Sequence, residues 1–270
     1  MKVAVILSIY KSDNVTHLEQ AIDSIFNQTY ENWLLRIMVD GPVSSELTEL
    51  LQGYTRTSDK VRVFERSNNK GLAHSLNELI EYIITNDNVD YFARMDADDI
   101  SLKNRLTEQV LFMNDNIDVD VVGSSCLEFG SSFAIEKKMY CEHEELSKYI
   151  FKRCPFIHPT VMFRRRVFEL GHRYPTNTTL SEDISFWLEL LSQGFKFANV
   201  DHILLKYRTS ENMLRRRVGY KKAISELKVK SNYMKRMKRK TVTNYIYISS
   251  YFLLRITPPF VTKLAYKYMR

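Results

Sequence analysis

Asp96, Asp98 and Asp99 lie within four residues, directly after the apolar run Tyr91–Met95. If that run is a strand, its rigid end can project at least two carboxylates toward one point, an arrangement suited to a hard divalent cation. Mg²⁺ and Mn²⁺ prefer oxygen ligands, and one or two protein carboxylates plus substrate phosphates commonly complete their shell. Taken alone the Asp-x-Asp signal is weak, because an acidic loop or a helix N-terminus produces it as readily. An EF-hand is excluded, since the Gly and the later Glu of that loop are absent. A second acidic pair, Glu182-Asp183, follows Ser181 and opens a stretch with Phe186, Trp187, Leu190 and Leu191 on one helical face. An N-capped helix there aims two carboxylates at one site, while Trp187 belongs to the core. His158, beside Pro159, could approach a metal or phosphates, although a lone His in that setting is more often structural.

These residues need a scaffold, and the first hundred residues describe one. Apolar runs at Val3–Ile9, 33–39, 61–64 and Tyr91–Met95 read as strands. Between them Leu18, Ile22, Ile25 and Phe26 share a helical face, as do Leu47, Leu50, Leu51 and Tyr54, and then Leu72, Leu76, Leu79, Ile80 and Ile83. Continuous apolar strands alternating with amphipathic helices predict an α/β fold with a mainly parallel sheet covered on both faces. Ligands of such sheets bind at the carboxyl ends of the strands. There the sequence places Ser8 and Tyr10, Asp40 and Gly41, residues 68–71, and residues 96–99. Beyond residue 119 the pattern is less regular, with strands expected at 119–123 and 159–163 and a helix at 142–151.

The 270 residues, 44% hydrophobic, suffice for one large domain, and no repeat or low-complexity tract interrupts them. Three cysteines, Cys126, Cys141 and Cys154, suggest neither a disulfide framework nor a zinc site and fit a reducing cytosol. Val3–Ile9 follows one Lys and lacks a cleavage site, unlike a signal peptide. The net charge of +7 is unevenly placed: residues 215–270 hold sixteen Lys or Arg and one acid, net +15, whereas residues 1–214 are net −8. The apolar stretch 245–256 adjoins that basic run and is shorter than the ~20 residues a spanning helix needs, so attachment to an anionic membrane surface is expected. The acidic body argues against a nucleic-acid partner.

Five ordered segments, "ILSIYKSDNVTHLEQAIDSIFNQTYENWLLRIMVDG", "NNKGLAHSLNELI", "ARMDADDISLKNRLTEQV", "FIHPTVMFRRRVF" and "SEDISFWLELLSQGFKFANV", together resemble the family 2 glycosyltransferases over roughly residues 1–208. The resemblance is strongest to bacterial enzymes that extend O-antigen, capsule or exopolysaccharide units on a lipid carrier. It implies a GT-A fold spanning residues 1–208, with a nucleotide-sugar-binding half at 1–112, an acceptor half at 113–208, and a basic helical tail at 209–270.

The same resemblance implies the roles. Ser8, Tyr10 and Asp40 line the nucleotide pocket, with Asp40 reaching the base; Asn69, Lys70 and Arg94 lie near ribose and diphosphate. Asp98 and Asp96 hold Mn²⁺ or Mg²⁺, with His158 a further candidate, and Asp99 supports the loop or touches the donor sugar. Asp183 is the general base, Glu182 the alternative, and transfer inverts the anomeric centre. A nucleotide-sugar donor, UDP-hexose as the first expectation, and a lipid-linked saccharide acceptor follow, with the protein on the cytoplasmic face of the cell membrane. Two departures stand out: Pro42-Val43, where the family carries Ser or Thr and Asp, and Leu102-Lys103 in place of Pro before Arg105. A sugar nucleotidyltransferase is the rival enzyme. Its Gly-rich basic loop is missing after the first strand, where Tyr10-Lys11-Ser12-Asp13 contains no Gly.

Overall fold

A computed structural model describes residues 1–132, 134–178, 181–210 and 219–257. Its first half follows the expected alternation: β1 (Val3–Ile9), α1 (Val15–Phe26), β2 (Trp33–Asp40), α2 (Ser45–Thr57), β3 (Val61–Arg66), α3 (Leu72–Asn86) and β4 (Tyr91–Met95). The strands pair in parallel in the order β3-β2-β1-β4. Alternation along β1 divides the core in two. Val3, Val5, Leu7 and Ile9 face α1 and α2 through Leu18, Ile22, Ile25, Leu47 and Leu51. Ala4 and Ile6 face α3 through Leu76, Leu79, Ile80 and Ile83. Asn14 and Ser44 start α1 and α2 by accepting the N–H groups of His17 and Leu47.

The second half adds β5 (Ile100–Ser101), α4 (Arg105–Asp115), β6 (Val121–Phe129), β7 (Glu136–Lys137), α5 (His143–Tyr149), β8 (Met162–Arg164), α6 (Arg165–Glu169), α7 (Glu182–Ser192) and β9 (Phe197–Arg208). The sheet continues β4-β8-β6-β9-β5, and here it is mixed: β8 runs antiparallel to β4 and β6, and β5 antiparallel to β9. β6 and β9, however, pair in parallel over nine residues, so the sheet is mainly parallel as the sequence reading expects, with short antiparallel pairings at β8, β5 and β7. The strand expected at 159–163 divides into a 3₁₀ turn, His158–Thr160, and β8. Pro159 explains the division, since it lacks the N–H a ladder needs and has a φ suited to the first position of a turn. The strand expected at 119–123 starts at Val121 and runs on to Phe129. Just before it, the Asp120 carboxylate accepts from Arg166 and from the Lys196 amide.

Between β6 and β9 the register slips twice. Ser124 faces Val200 and Cys126 faces Leu205, so two steps along one strand are matched by five along the other.

Two helices follow the sheet, α8 (Tyr220–Arg236) and α9 (Val242–Ile256). Helix α8 packs on α7, and α9 on α8. Their seam is a buried ionic group: Lys230 Nζ lies 2.9 Å from Glu226 Oε1, and Arg255 3.6 Å from Glu226 Oε2. Residues 215–217 of the basic run, and 258–270, lie outside the described residues.

Candidate active site

Strand ends gather the chemistry on one edge of the sheet. At the end of β2, Gly41 adopts φ +85°, and a Cβ there would stand 2.8 Å from the Asn69 amide nitrogen, so loop 68–71 packs directly on the main chain. Asn69 Nδ2 donates to the Asp40 carbonyl at 3.0 Å. The Asp40 carboxylate is 3% exposed and accepts the main-chain N–H of Lys70 at 2.7 Å, that of Gly71 at 2.8 Å, and the Arg66 guanidinium at 2.7 Å. The Asp40 carboxylate thereby holds the loop that carries Asn69 and Lys70. The Lys70 ammonium is exposed, 3.6 Å from Glu78. At the end of β1, Ser8 is half-buried and Tyr10 is exposed, its amide donating to Asp13 at 2.8 Å.

After β4, one carboxylate oxygen each from Asp96, Asp98 and Asp99 lie within 4.8 Å of one another. Three like charges so close resist ionisation together. Burial, then the Asp96 charge, push the Asp98 carboxyl up to about 6; the same causes with Asp98 added carry Asp99 well above the usual carboxylate range. Asp99 is fully buried. Its Oδ1 accepts the Arg208 amide at 2.7 Å, and its Oδ2 has no hydrogen-bond partner. Through Oδ1 it anchors the loop to the end of β9. Arg94, 2% exposed, pairs with Asp96 and leaves two buried guanidinium nitrogens without partners. Its place is behind the acidic loop and not on an open face.

At the start of α7, Asp183 accepts the N–H of Ile184 at 2.7 Å. Ser181 makes no capping bond through its hydroxyl, and Asp183 accepts a first-turn N–H instead. Burial, then the Asp183 charge, raise the Glu182 carboxyl. Trp187 is fully buried, as expected. The Nε2 of His158 lies 3.0 Å from the Tyr174 hydroxyl. Burial and the Arg94 charge lower it well below the usual imidazole range, so it is neutral.

Two residues here went unread in the sequence. Tyr174, fully buried, feels the charges of Arg94, Asp183, Glu182 and Asp96 at once and so links the acidic loop to α7. Arg208 ends β9 with its Nε donating to the Asp98 carbonyl at 2.7 Å. Register explains it: Ile100 pairs Lys206 and Ser101 pairs Leu205 antiparallel, which puts Asp98 opposite residue 208. No local motif signals either residue.

Residues 4–171 match the model of glycosyl transferase family 2. The chain belongs to that family. A UDP-Gal:alpha-D-GlcNAc-diphosphoundecaprenol beta-1,3-galactosyltransferase of Escherichia coli is 31% identical over 97% of this chain and 92% of its own length. The O-antigen biosynthesis glycosyltransferase WbnJ of Escherichia coli is 30% identical over 90% and 92%. Among solved structures, S. aureus TarS 1-349 in complex with UDP-GlcNAc superposes with a TM-score of 0.69 at 15% identity, over 94% of this chain and 72% of that one. The mannosyltransferase PcManGT from Pyrobaculum calidifontis, in complex with GDP-Man and Mn²⁺, gives 0.67 at 16%, over 98% and 73%. This family 2 glycosyltransferase thus has the GT-A fold.

Proposed function

We propose that this glycosyltransferase moves a hexose from a UDP-sugar to a saccharide on a lipid diphosphate carrier, with inversion, at the anionic inner face of the cell membrane. The observation that carries the reading is the acidic cluster at the end of β4. Its three carboxylate oxygens lie within 4.8 Å, and the buried Asp99 Oδ2 lacks a partner. An oxygen-only donor set with excess negative charge fits Mn²⁺ or Mg²⁺. Asp98 and Asp96 would hold the ion, which when bound supplies positive charge to the departing diphosphate.

The remaining work falls to the chain itself. Asp40, through loop 68–71, sets Asn69 and Lys70 where ribose and diphosphate lie, and Ser8 and Tyr10 complete the wall. Arg94 reinforces Asp96 from behind. Asp183 takes the proton from the acceptor hydroxyl as its oxygen bonds to the anomeric carbon; the bond from that carbon to the diphosphate oxygen breaks, and its electron pair leaves with UDP. Asp183 is taken as the base from its match to the family motif, and Glu182, its carboxyl raised by burial and then by the Asp183 charge, is the alternative. The UDP donor and lipid-linked acceptor rest on the named activity of the 31% relative, and the membrane on the +15 segment 215–270.

The test is nucleoside diphosphate release by the purified protein from UDP-Gal, UDP-Glc, UDP-GlcNAc and GDP-Man, with and without a polyprenyl-diphosphate-linked saccharide. Each donor is run with Mn²⁺, Mg²⁺ or chelator. Acceptor-dependent UDP release that stops in chelator is expected. Undiminished release in chelator sinks the metal assignment, and no release from any donor sinks the activity.

A further inference from the structure

Helix α9 presents apolar side chains on two sides. Inward, Ile248 is buried, and Tyr251 and Arg255 close over α8: the Lys230 ammonium sits 3.9 Å from the Tyr251 ring centroid. Outward, Val242, Tyr245, Ile246, Leu253 and Ile256 are 77, 45, 57, 58 and 44% exposed. At 100° per residue these five fall in an arc of about 100°, a stripe on one face that only Ser249 interrupts. Scattered exposed apolar residues are ordinary; five gathered on one helix face mark a contact surface.

Its border is cationic. Lys238 and Lys240 are exposed in the turn leading into α9, and Lys228, Lys235 and Arg236 are exposed on α8. Lys152 of the catalytic domain reaches over Tyr247, 5.6 Å from its ring centroid. Lys148 and Arg239, with one acid, Glu144, line a groove of about 670 Å³ at the foot of the helix. A second copy of the chain would set one +15 segment against another, whereas an anionic lipid surface accepts both features, apolar side chains at the acyl boundary and ammonium groups among headgroups. Among the described residues no helix is long and apolar enough to cross a membrane, so contact is lateral.

We infer that α9 lies flat in an anionic lipid surface, outer stripe down, while its inner face stays locked on the catalytic domain. The inference rests on the membrane attachment proposed above and sharpens it: contact is a rigid face and not a loose basic tether. Because α9 packs on α8, α8 on α7, and α7 begins at the Glu182-Asp183 pair, the acceptor side of the site is held at a set height above the bilayer.

The experiment is flotation of the full chain with vesicles of phosphatidylglycerol and phosphatidylcholine in equal parts, and with phosphatidylcholine alone. The wild type should float with the anionic vesicles only. Ile246→Asp with Leu253→Asp should weaken that binding at least about tenfold and leave the melting temperature unchanged, since both side chains face solvent. Leu111→Asp with Ile117→Asp, exposed apolar residues elsewhere, should bind as wild type. A double variant on α9 that still floats fully overturns the stripe while leaving charge-driven attachment standing, and a wild type that does not float overturns both. A wild-type dimer by light scattering that the α9 variant loses assigns the stripe to a second copy and overturns the lipid assignment. Sugar transfer is read separately by UDP release, so none of these outcomes is confused with loss of the activity.

Discussion

Arg208 grips two consecutive residues of the acidic loop, its main-chain N–H on Asp99 Oδ1 and its guanidinium Nε on the Asp98 carbonyl, each at 2.7 Å. A further bond to Gln20 at 2.6 Å and the Phe129 ring 4.5 Å beneath fix the guanidinium plane. Arg208→Ala keeps the main-chain bond and loses both side-chain bonds, the one to the Asp98 carbonyl worth about 1–3 kcal/mol for a charged donor. The Mn²⁺ needed for half-maximal UDP binding, measured by calorimetry, should rise about tenfold, and Arg208→Lys should recover part of it. An unchanged titration would reduce Arg208 to an ordinary strand end.

Asp98→Ala removes one of three crowded carboxylates, so the fold loses repulsion as well as a ligand. Sugar transfer should fall by about 10³ or more, corresponding to about 4 kcal/mol of lost charge stabilisation. The melting temperature should hold or rise. Wild-type transfer rates in the variant would remove Asp98 from the site.

For Asp183→Asn, the amide keeps the shape and cannot take the proton. The rate should fall by about 10² to 10⁴ with donor and metal affinity near wild type. If melting temperature and donor affinity fall together instead, Asp183 is a helix cap; a stable variant at full rate would shift the role to Glu182.

Asp40→Ala leaves Arg66 and two main-chain N–H groups of loop 68–71 buried without their acceptor. A loss of about 2–3 kcal/mol in denaturant unfolding is expected, along with weaker UDP binding. A residue acting only by touching a base would lose binding without stability.

His158 gives a pH signature. Its neutral form is favoured in the folded state, while in the unfolded chain it titrates at its ordinary value near 6.5. Below that value the unfolded state binds a proton that the folded state does not, so stability falls as pH falls, by up to about 1.4 kcal/mol per unit from this group. His158→Gln should remove that share of the slope between pH 6.5 and 5 in denaturant titrations. An unaltered slope would mean that His158 charges freely in the fold.

The scaffold was readable where period and burial agree. Strand Tyr91–Met95 matches its expected bounds because five buried residues in a row stop at the acids. Strand β6 was misjudged because Gly123-Ser124-Ser125 hides its alternation, although all three are buried. The acidic cluster and the α7 pair were visible as local strings. Arg208 and Tyr174 were not, since each acts across a long sequence gap set by strand register and packing. Asp40 was found as a pocket residue, but its pairing with Arg66 and its hold on loop 68–71 are visible only in the fold.

The double slip between β6 and β9 has a consequence for how the gene can change length. Three extra residues of β9 are absorbed between Ser124 and Cys126, an odd number, so the strand leaves the bulge with its faces exchanged. A one-codon deletion within residues 200–205 would exchange them again and turn Arg208 away from Asp98, while many surface loops accept such changes. Insertions and deletions in this lineage should therefore avoid that short stretch.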